Sequence, residues 1–429
     1  MRHLRLGVHH TVTGQHAGAW RISTQPADTE SLAHHQAAAR LAEDAGFDFL
    51  LLTDVLGEQG DPVSRGFQPR LEPAVLLAAL AASTRSIGLV GSFSTTFQDA
   101  YHLARQLSSL DHVSGGRAGW NIVTSFRSDL PGLPPHAERH ARAGEVVAAA
   151  VALWEAWSPD AVVRDRRTGS VVDPAQVRRV AHPRGVLPAS RSPQGRPVLF
   201  QAGASEAGQA LAATWADVVL TTADHLPDAQ QHYAQLKARV SDAGRDPDDV
   251  LVVPGVMVLV GSSREHAQEV HGRLMATTDD DAARGRLSAI LGWDTSALPF
   301  DAPVEQAPAT TEGHRSRARL LHLRAARENL SIGELARVAE ATRGHRLVVG
   351  TAQDVADELL SWFEQDAADG FLVGPVVMPS GLRRFARDVM PLLAHHLPPA
   401  RAGGTLRDRL GLSARPRGQS LDRDVPPHP

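Results

Sequence analysis

The 429-residue chain contains no cysteine. Disulfides, a thiolate nucleophile and cysteine-ligated metal clusters are therefore excluded, and any redox chemistry must come from a borrowed cofactor. Lysine is almost absent, so arginine carries nearly all the positive charge, and the formal net charge is −4. That balance gives no basic footprint for nucleic acid. Aromatic residues make up 5% and tyrosine occurs twice. No apolar run has the length of a membrane span, and the N-terminus lacks a signal-peptide core, so a cytoplasmic location without membrane contact is expected.

What is present is an alternation of short apolar runs with helical patterns. The runs begin at Leu4, Phe47, Ile87, Ala118, Pro197, Asp217, Leu251 and Gly370. Helical periodicity separates them, for example over Ser31 to Ala45, Pro73 to Ala82, Tyr101 to His112, Ala137 to Trp157 and Asp228 to Ala243. Eight strands that are apolar on both faces, linked by helices, predict a closed parallel (β/α)8 TIM barrel. One barrel domain is expected over residues 1–397, with insertions at about 159–196 and 277–345. The second insertion lies between strands seven and eight and is the natural lid. A Pro/Arg-rich tail, 398–429, is expected to lie on the surface or to be partly disordered.

A TIM barrel gathers its site at the carboxyl ends of the strands. That rule brings together His9 and His10, Asp54, Ser94 and Thr95, Asn121, and the segment Gly203-Ala204-Ser205. Asn121 is a polar amide among apolar neighbours in the fourth strand and needs hydrogen-bond partners. Gly203-Ala204-Ser205-Glu206-Ala207-Gly208 opens a helix, where free amides and the helix dipole suit a phosphate. The plain alternative is an N-cap at Ser205. Adjacent His9 and His10 point to opposite faces of a strand, so one of them faces the barrel mouth. His136 and His140 share a helix face at the spacing of a zinc pair, but Ala137 stands where a zincin has glutamate.

The stretch Ser114-Gly115-Gly116-Arg117-Ala118-Gly119-Trp120-Asn121-Ile122-Val123-Thr124-Ser125 resembles the FMN-dependent monooxygenases related to nitrilotriacetate monooxygenase, within the bacterial-luciferase-like superfamily. Similar stretches are Tyr101-His102-Leu103-Ala104-Arg105, Gly18-Ala19-Trp20-Arg21, Gln201 to Gly208, and Gly344-His345-Arg346-Leu347-Val348-Val349-Gly350-Thr351. The resemblance implies FMN as FMNH2, held by Asp54, Ser94, Thr95, Asn121, His136, His140, Ala204 and Ser205. At His140 the family has tyrosine. It further implies a separate NAD(P)H-dependent flavin reductase, O2 as co-substrate, a small organic substrate, and a homo-oligomer, dimer or tetramer. His9, His10 and His102 are the candidates for proton transfer, with no choice among them. Between Asp173 and Pro193 the chain is shorter than the family pattern, on the substrate side. Two other readings stay open: a metal-dependent barrel hydrolase using His136 and His140, and a flavin-binding protein without turnover.

Overall fold

The computed structural model describes residues 2–24, 28–54, 69–125, 134–203, 205–304, 315–342, 344–399 and 403–413. Eight parallel strands close into a barrel: β1 (Arg5–His9), β2 (Phe49–Leu52), β3 (Gly88–Ser94), β4 (Ala118–Val123), then, after the short hairpin β5 (Val162–Asp165) and β6 (Ser170–Val172), β7 (Val198–Ala202), β8 (Val218–Thr221), β9 (Leu251–Val260) and, last in sequence, β11 (Gly370–Pro375). The ring closes through β8–β9, β9–β11 and β11–β1. A further strand, β10 (Arg346–Gly350), pairs with the second half of β9, from Val256 to Val260. It begins where β8 ends, because β8 pairs only with Leu251 to Pro254. The sequence alternation did not distinguish β10 or the hairpin.

Side-chain parity explains the core. Phe49, Leu51, Val90, Val198, Phe200, Val218, Val253 and Leu372 fill the barrel interior. Residues of the opposite parity, such as Leu6, Leu50, Leu89 and Val373, pack outward under the helices. The Phe49 ring comes so close to Gly7 that a Cβ there would lie 2.2 Å from it, so β1 needs glycine at that inward position.

The amino-terminal end of the barrel is closed by buried aspartates. Asp48, Asp217 and Asp369 stand just before β2, β8 and β11, and each accepts the first free amide of the neighbouring strand, from Leu6, Leu199 and Val252, all at 2.9 Å. The tail does not lie on the surface over its described part. Leu406, Leu410 and Leu412 are buried and join the barrel-interior core, so Thr405 to Leu412 plugs this end. The short helix Leu406–Leu410 carries a capping box between Thr405 and Asp408. Arg407 pairs with Asp217 at 3.0 Å, both side chains being buried.

The described parts of the insertion 277–345 fold as a helical bundle. Asp280–Leu291, Arg315–Glu328 and Ile332–Thr342 share a core of Leu287, Ile290, Leu321, Ile332 and Leu335. Arg327 ties it to Asp224, beyond β8, at 2.9 Å.

Candidate active site at the barrel mouth

The carboxyl ends of the strands form a polar rim around an apolar barrel. Asn121 is on the inner face of β4, in register with Ser92 of β3 and Phe200 of β7. Its Nδ2 donates to Ser92 Oγ at 2.8 Å. Its Oδ1 is buried and has no hydrogen-bond partner among the described residues. Such an acceptor costs about 1–3 kcal/mol while it stays unpaired, so an N–H or O–H donor reaching it would be stabilised.

Ser94 and Thr95 follow at the end of β3. Ser94 Oγ lies 2.9 Å from Ser125 Oγ and accepts the Thr96 amide, while Thr95 donates to the Val123 carbonyl at 3.3 Å. Ser125, which the sequence did not single out, has φ 50°. A left-handed serine at a strand end stores strain that its surroundings must hold. Here Arg139 donates to its carbonyl, and Arg142 from the same helix donates to the Thr95 carbonyl at 3.2 Å.

The two adjacent histidines separate as strand parity requires. His9 faces inward and its Nε2 is 3.1 Å from Thr53 Oγ1, just before half-buried Asp54. His10 faces away from the mouth. Its Nε2 is 2.8 Å from Nδ1 of His35, whose Nε2 is 2.9 Å from the Thr29 carbonyl. Because that carbonyl only accepts, His35 carries its proton on Nε2 and His10 donates from its own Nε2. His102 is exposed at the first turn of the helix Ala100–Ser114, its amide held by Asp99. The three are therefore not brought together, and His9 alone is in the mouth.

Burial, then the nearby His35 and His9, lower the His10 pKa from 6.5 to about 3. Unfolding would let it take a proton between those values, so its contribution to stability is present above pH 6.5 and is lost as pH falls toward 3. We predict that His10→Gln flattens the acid limb of urea-unfolding stability between pH 6.5 and 4.5 by up to about one proton in slope. Parallel curves for the variant and the native protein would remove this assignment.

Ser205 caps the helix Glu206–Trp215, its Oγ accepting the Gly208 amide at 3.1 Å. The helix His136–Trp154, which bears half-buried His140, packs beside it. Ala204 and the His136 side chain lie outside the described residues. Among the described residues no three His, Asp or Glu side chains group as metal ligands. No helix among them is long and apolar enough to cross a membrane.

Gln15 is a site residue that the sequence reading missed. It is fully buried, its Nε2 donates to the His9 carbonyl at 3.0 Å, and its Oε1 has no partner among the described residues. Its side chain lies over Gly374, the inward position of β11. Nothing in its local sequence signals this, because the contact joins the loop after β1 to the last strand.

Comparison with known proteins agrees with this architecture. The profile of the luciferase-like monooxygenases matches residues 9–370. The chain is 36% identical over 430 residues to N-acetyl-S-(2-succino)cysteine monooxygenase of Bacillus subtilis (strain 168), covering 96% of this chain and 97% of that one. It is 34% identical over 445 residues to nitrilotriacetate monooxygenase component A of Aminobacter aminovorans, covering 97% and 98%. A crystal structure of riboflavin lyase with modified FMN and substrate riboflavin matches with a TM-score of 0.84 and 30% identity, over 96% of this chain and 97% of that one. These findings displace both the metal-hydrolase and the non-catalytic readings. The chain belongs to the luciferase-like monooxygenase family and is a flavin-dependent monooxygenase.

Proposed function

We propose that the barrel mouth binds reduced FMN delivered by a separate NAD(P)H-dependent flavin reductase, and that the enzyme oxidises a small organic substrate with O2. The observation that carries this reading is the buried, unpartnered Asn121 oxygen on the inner wall. A flavin ring N–H matches that acceptor. Ser94, Thr95 and Asp54 would hold the ring, and Ser205 at its helix N-terminus, with His140 from the neighbouring helix, would hold the phosphate. The family resemblance gives Ala204 and the His136 side chain, which lie outside the described residues, the same roles. The complex of a structural neighbour with modified FMN supports FMN, and the similarity to nitrilotriacetate monooxygenase component A supports a reductase partner.

When bound, reduced flavin supplies the two electrons with which O2 is divided between the product and water. The chain's own work is to orient the substrate, exclude water and manage a proton. Of the three candidate histidines, His9 is the proton-handling residue of this reading, because it faces inward, with Thr53 fixing its ring. In this reading the helices of the insertion act as a lid over the mouth, and the protein works as a homo-oligomer, dimer or tetramer.

The test is anaerobic titration of the protein with FMNH2. One equivalent binds, and Asn121→Leu weakens binding about tenfold, the cost of one lost hydrogen bond to a buried acceptor. Unchanged affinity in the variant contradicts the ring placement. With reductase, FMN and 18O2, a turned-over substrate gains one labelled oxygen. A product without label contradicts the reaction.

A further inference from the structure

Two buried amides on opposite walls of the mouth are held in the same way. Asn121 belongs to β4, and the Gln15 side chain lies against β11. Around the closed ring, β1, β2 and β3 separate these strands on one side, and β7, β8 and β9 on the other. Asn121 Nδ2 donates to Ser92 Oγ at 2.8 Å, and Gln15 Nε2 donates to the His9 carbonyl at 3.0 Å. A carbonyl only accepts, so the end of the Gln15 amide that meets it is the NH2 end. The oxygens Asn121 Oδ1 and Gln15 Oε1 are both buried, and neither has a partner among the described residues. The nitrogen of Gln15 is tied to β1, so its oxygen, on the other side of a planar carbon, points away from β1 along the inner wall.

The backbone around Gln15 is shaped to hold this pose. The Gln15 amide donates to the Pro375 carbonyl at 3.1 Å. Gly14 has φ 126°, and a Cβ there would sit 2.2 Å from the Val376 carbonyl oxygen, so the turn that delivers Gln15 needs glycine. Beneath the side chain is Gly374, an inward position of β11, where a Cβ would come within 3.0 Å of Gln15 Cγ and 2.7 Å of Met257 Sδ. Two glycines thus make room for one glutamine that is 0% exposed. An apolar side chain of the same length would fill the space without burying an unpaired acceptor. A donor arriving with a ligand accounts for the glutamine. In the reading above the flavin ring lies along β2, β3 and β4 and its phosphate after β7. The wall at β11 and β1 is then left to the substrate, beside inward-facing His9.

We propose that Gln15 is a substrate-specificity residue. Its Oε1 accepts a hydrogen bond from an N–H or O–H of the molecule being oxidised, so the substrate is a hydroxyl-, amide- or amine-bearing compound and not a plain hydrocarbon or thioether. A site with a buried acceptor rejects a ligand that leaves it unpaired, whereas an apolar wall does not. The proposal rests on the flavin-bearing mouth described above.

The experiment is anaerobic isothermal titration of the full-length protein, with and without FMNH2, using two probe pairs that differ in one donor: benzyl alcohol against benzyl methyl ether, and N-methylbenzamide against N,N-dimethylbenzamide. At least one donor-bearing probe binds more than about tenfold tighter than its capped partner. In Gln15→Met that preference falls to about threefold or less, while FMNH2 affinity is unchanged. The urea-unfolding midpoint of the variant is equal or higher, because a buried unpaired acceptor has been removed. If Gln15→Met does not fold, Gln15→Leu carries the same comparison. A residue that only packs the loop against β11 gives the reverse, a lower midpoint with the preference kept. The proposal is overturned by that result, by a native protein that prefers neither donor-bearing probe, or by a variant that loses FMNH2 together with the preference. A native protein that prefers a donor-bearing probe but binds no FMNH2 overturns the flavin reading and leaves the acceptor site standing.

Discussion

Ser205→Asp will lower FMNH2 affinity on the order of 100-fold or more while leaving the fold as stable as before. Ser205 now caps the helix Glu206–Trp215 through the Gly208 amide. Aspartate caps as well as serine, and its charge favours a helix N-terminus. A residue that only caps would therefore tolerate the change in every measurement. A residue that faces a phosphate would not, because two like charges about 4 Å apart repel by about 4 kcal/mol at an effective dielectric of about 20. Solvent screening reduces that figure, and even half of it exceeds a tenfold loss. Anaerobic titration, paired with urea unfolding, separates the two roles. Equal FMNH2 affinity in the variant would leave Ser205 as a cap alone.

Removing the chain from Thr405 onward will abolish cooperative folding. Leu406, Leu410 and Leu412 are buried in the same core as Phe49, Phe200 and Leu372. Leu→Ala changes in such cores cost about 2–5 kcal/mol each, against total stabilities of about 5–15 kcal/mol. The plug also supplies Arg407 to Asp217, with side-chain exposures of 4% and 1%, where Arg196 is the second cation at 3.6 Å. Arg407→Met keeps most of the apolar stem and removes the charge. It should cost about 3–5 kcal/mol, the usual result of breaking a buried pair from one side. Denaturant unfolding reads both variants. A truncated protein with an unchanged midpoint, or an Arg407→Met loss below about 1 kcal/mol, would show that the plug is dispensable.

The unequal legibility of these features has physical causes. The staves of the barrel announce themselves because a parallel sheet covered on both faces needs unbroken apolar runs, and β9, Leu251–Val260, begins and ends where the sequence pattern does. The same property hid β10. Arg346-Leu347-Val348-Val349-Gly350 is as apolar as a stave, and periodicity does not say which edge a strand joins. The Ser205 cap was readable because capping is local chemistry. The plug was not, because its leucines sit in a tail whose composition otherwise resembles disorder. Strand parity required one of His9 and His10 to point inward. Only the contact of His10 with His35, 25 residues away, fixes which. Gln15 had no local signal, since its meaning comes from what packs around it and from the partner its Oε1 lacks among the described residues.

A mouth that grips flavin by its phosphate as well as its ring distinguishes FMNH2 from reduced riboflavin. The direct measurement is the anaerobic affinity of the full-length protein for FMNH2 beside that for reduced riboflavin, which has the same ring and no phosphate. Reduced FMN should bind at least about 100-fold tighter, as charge-assisted hydrogen bonds to a helix N-terminus would give. Equal affinities, or no binding of either, would contradict it.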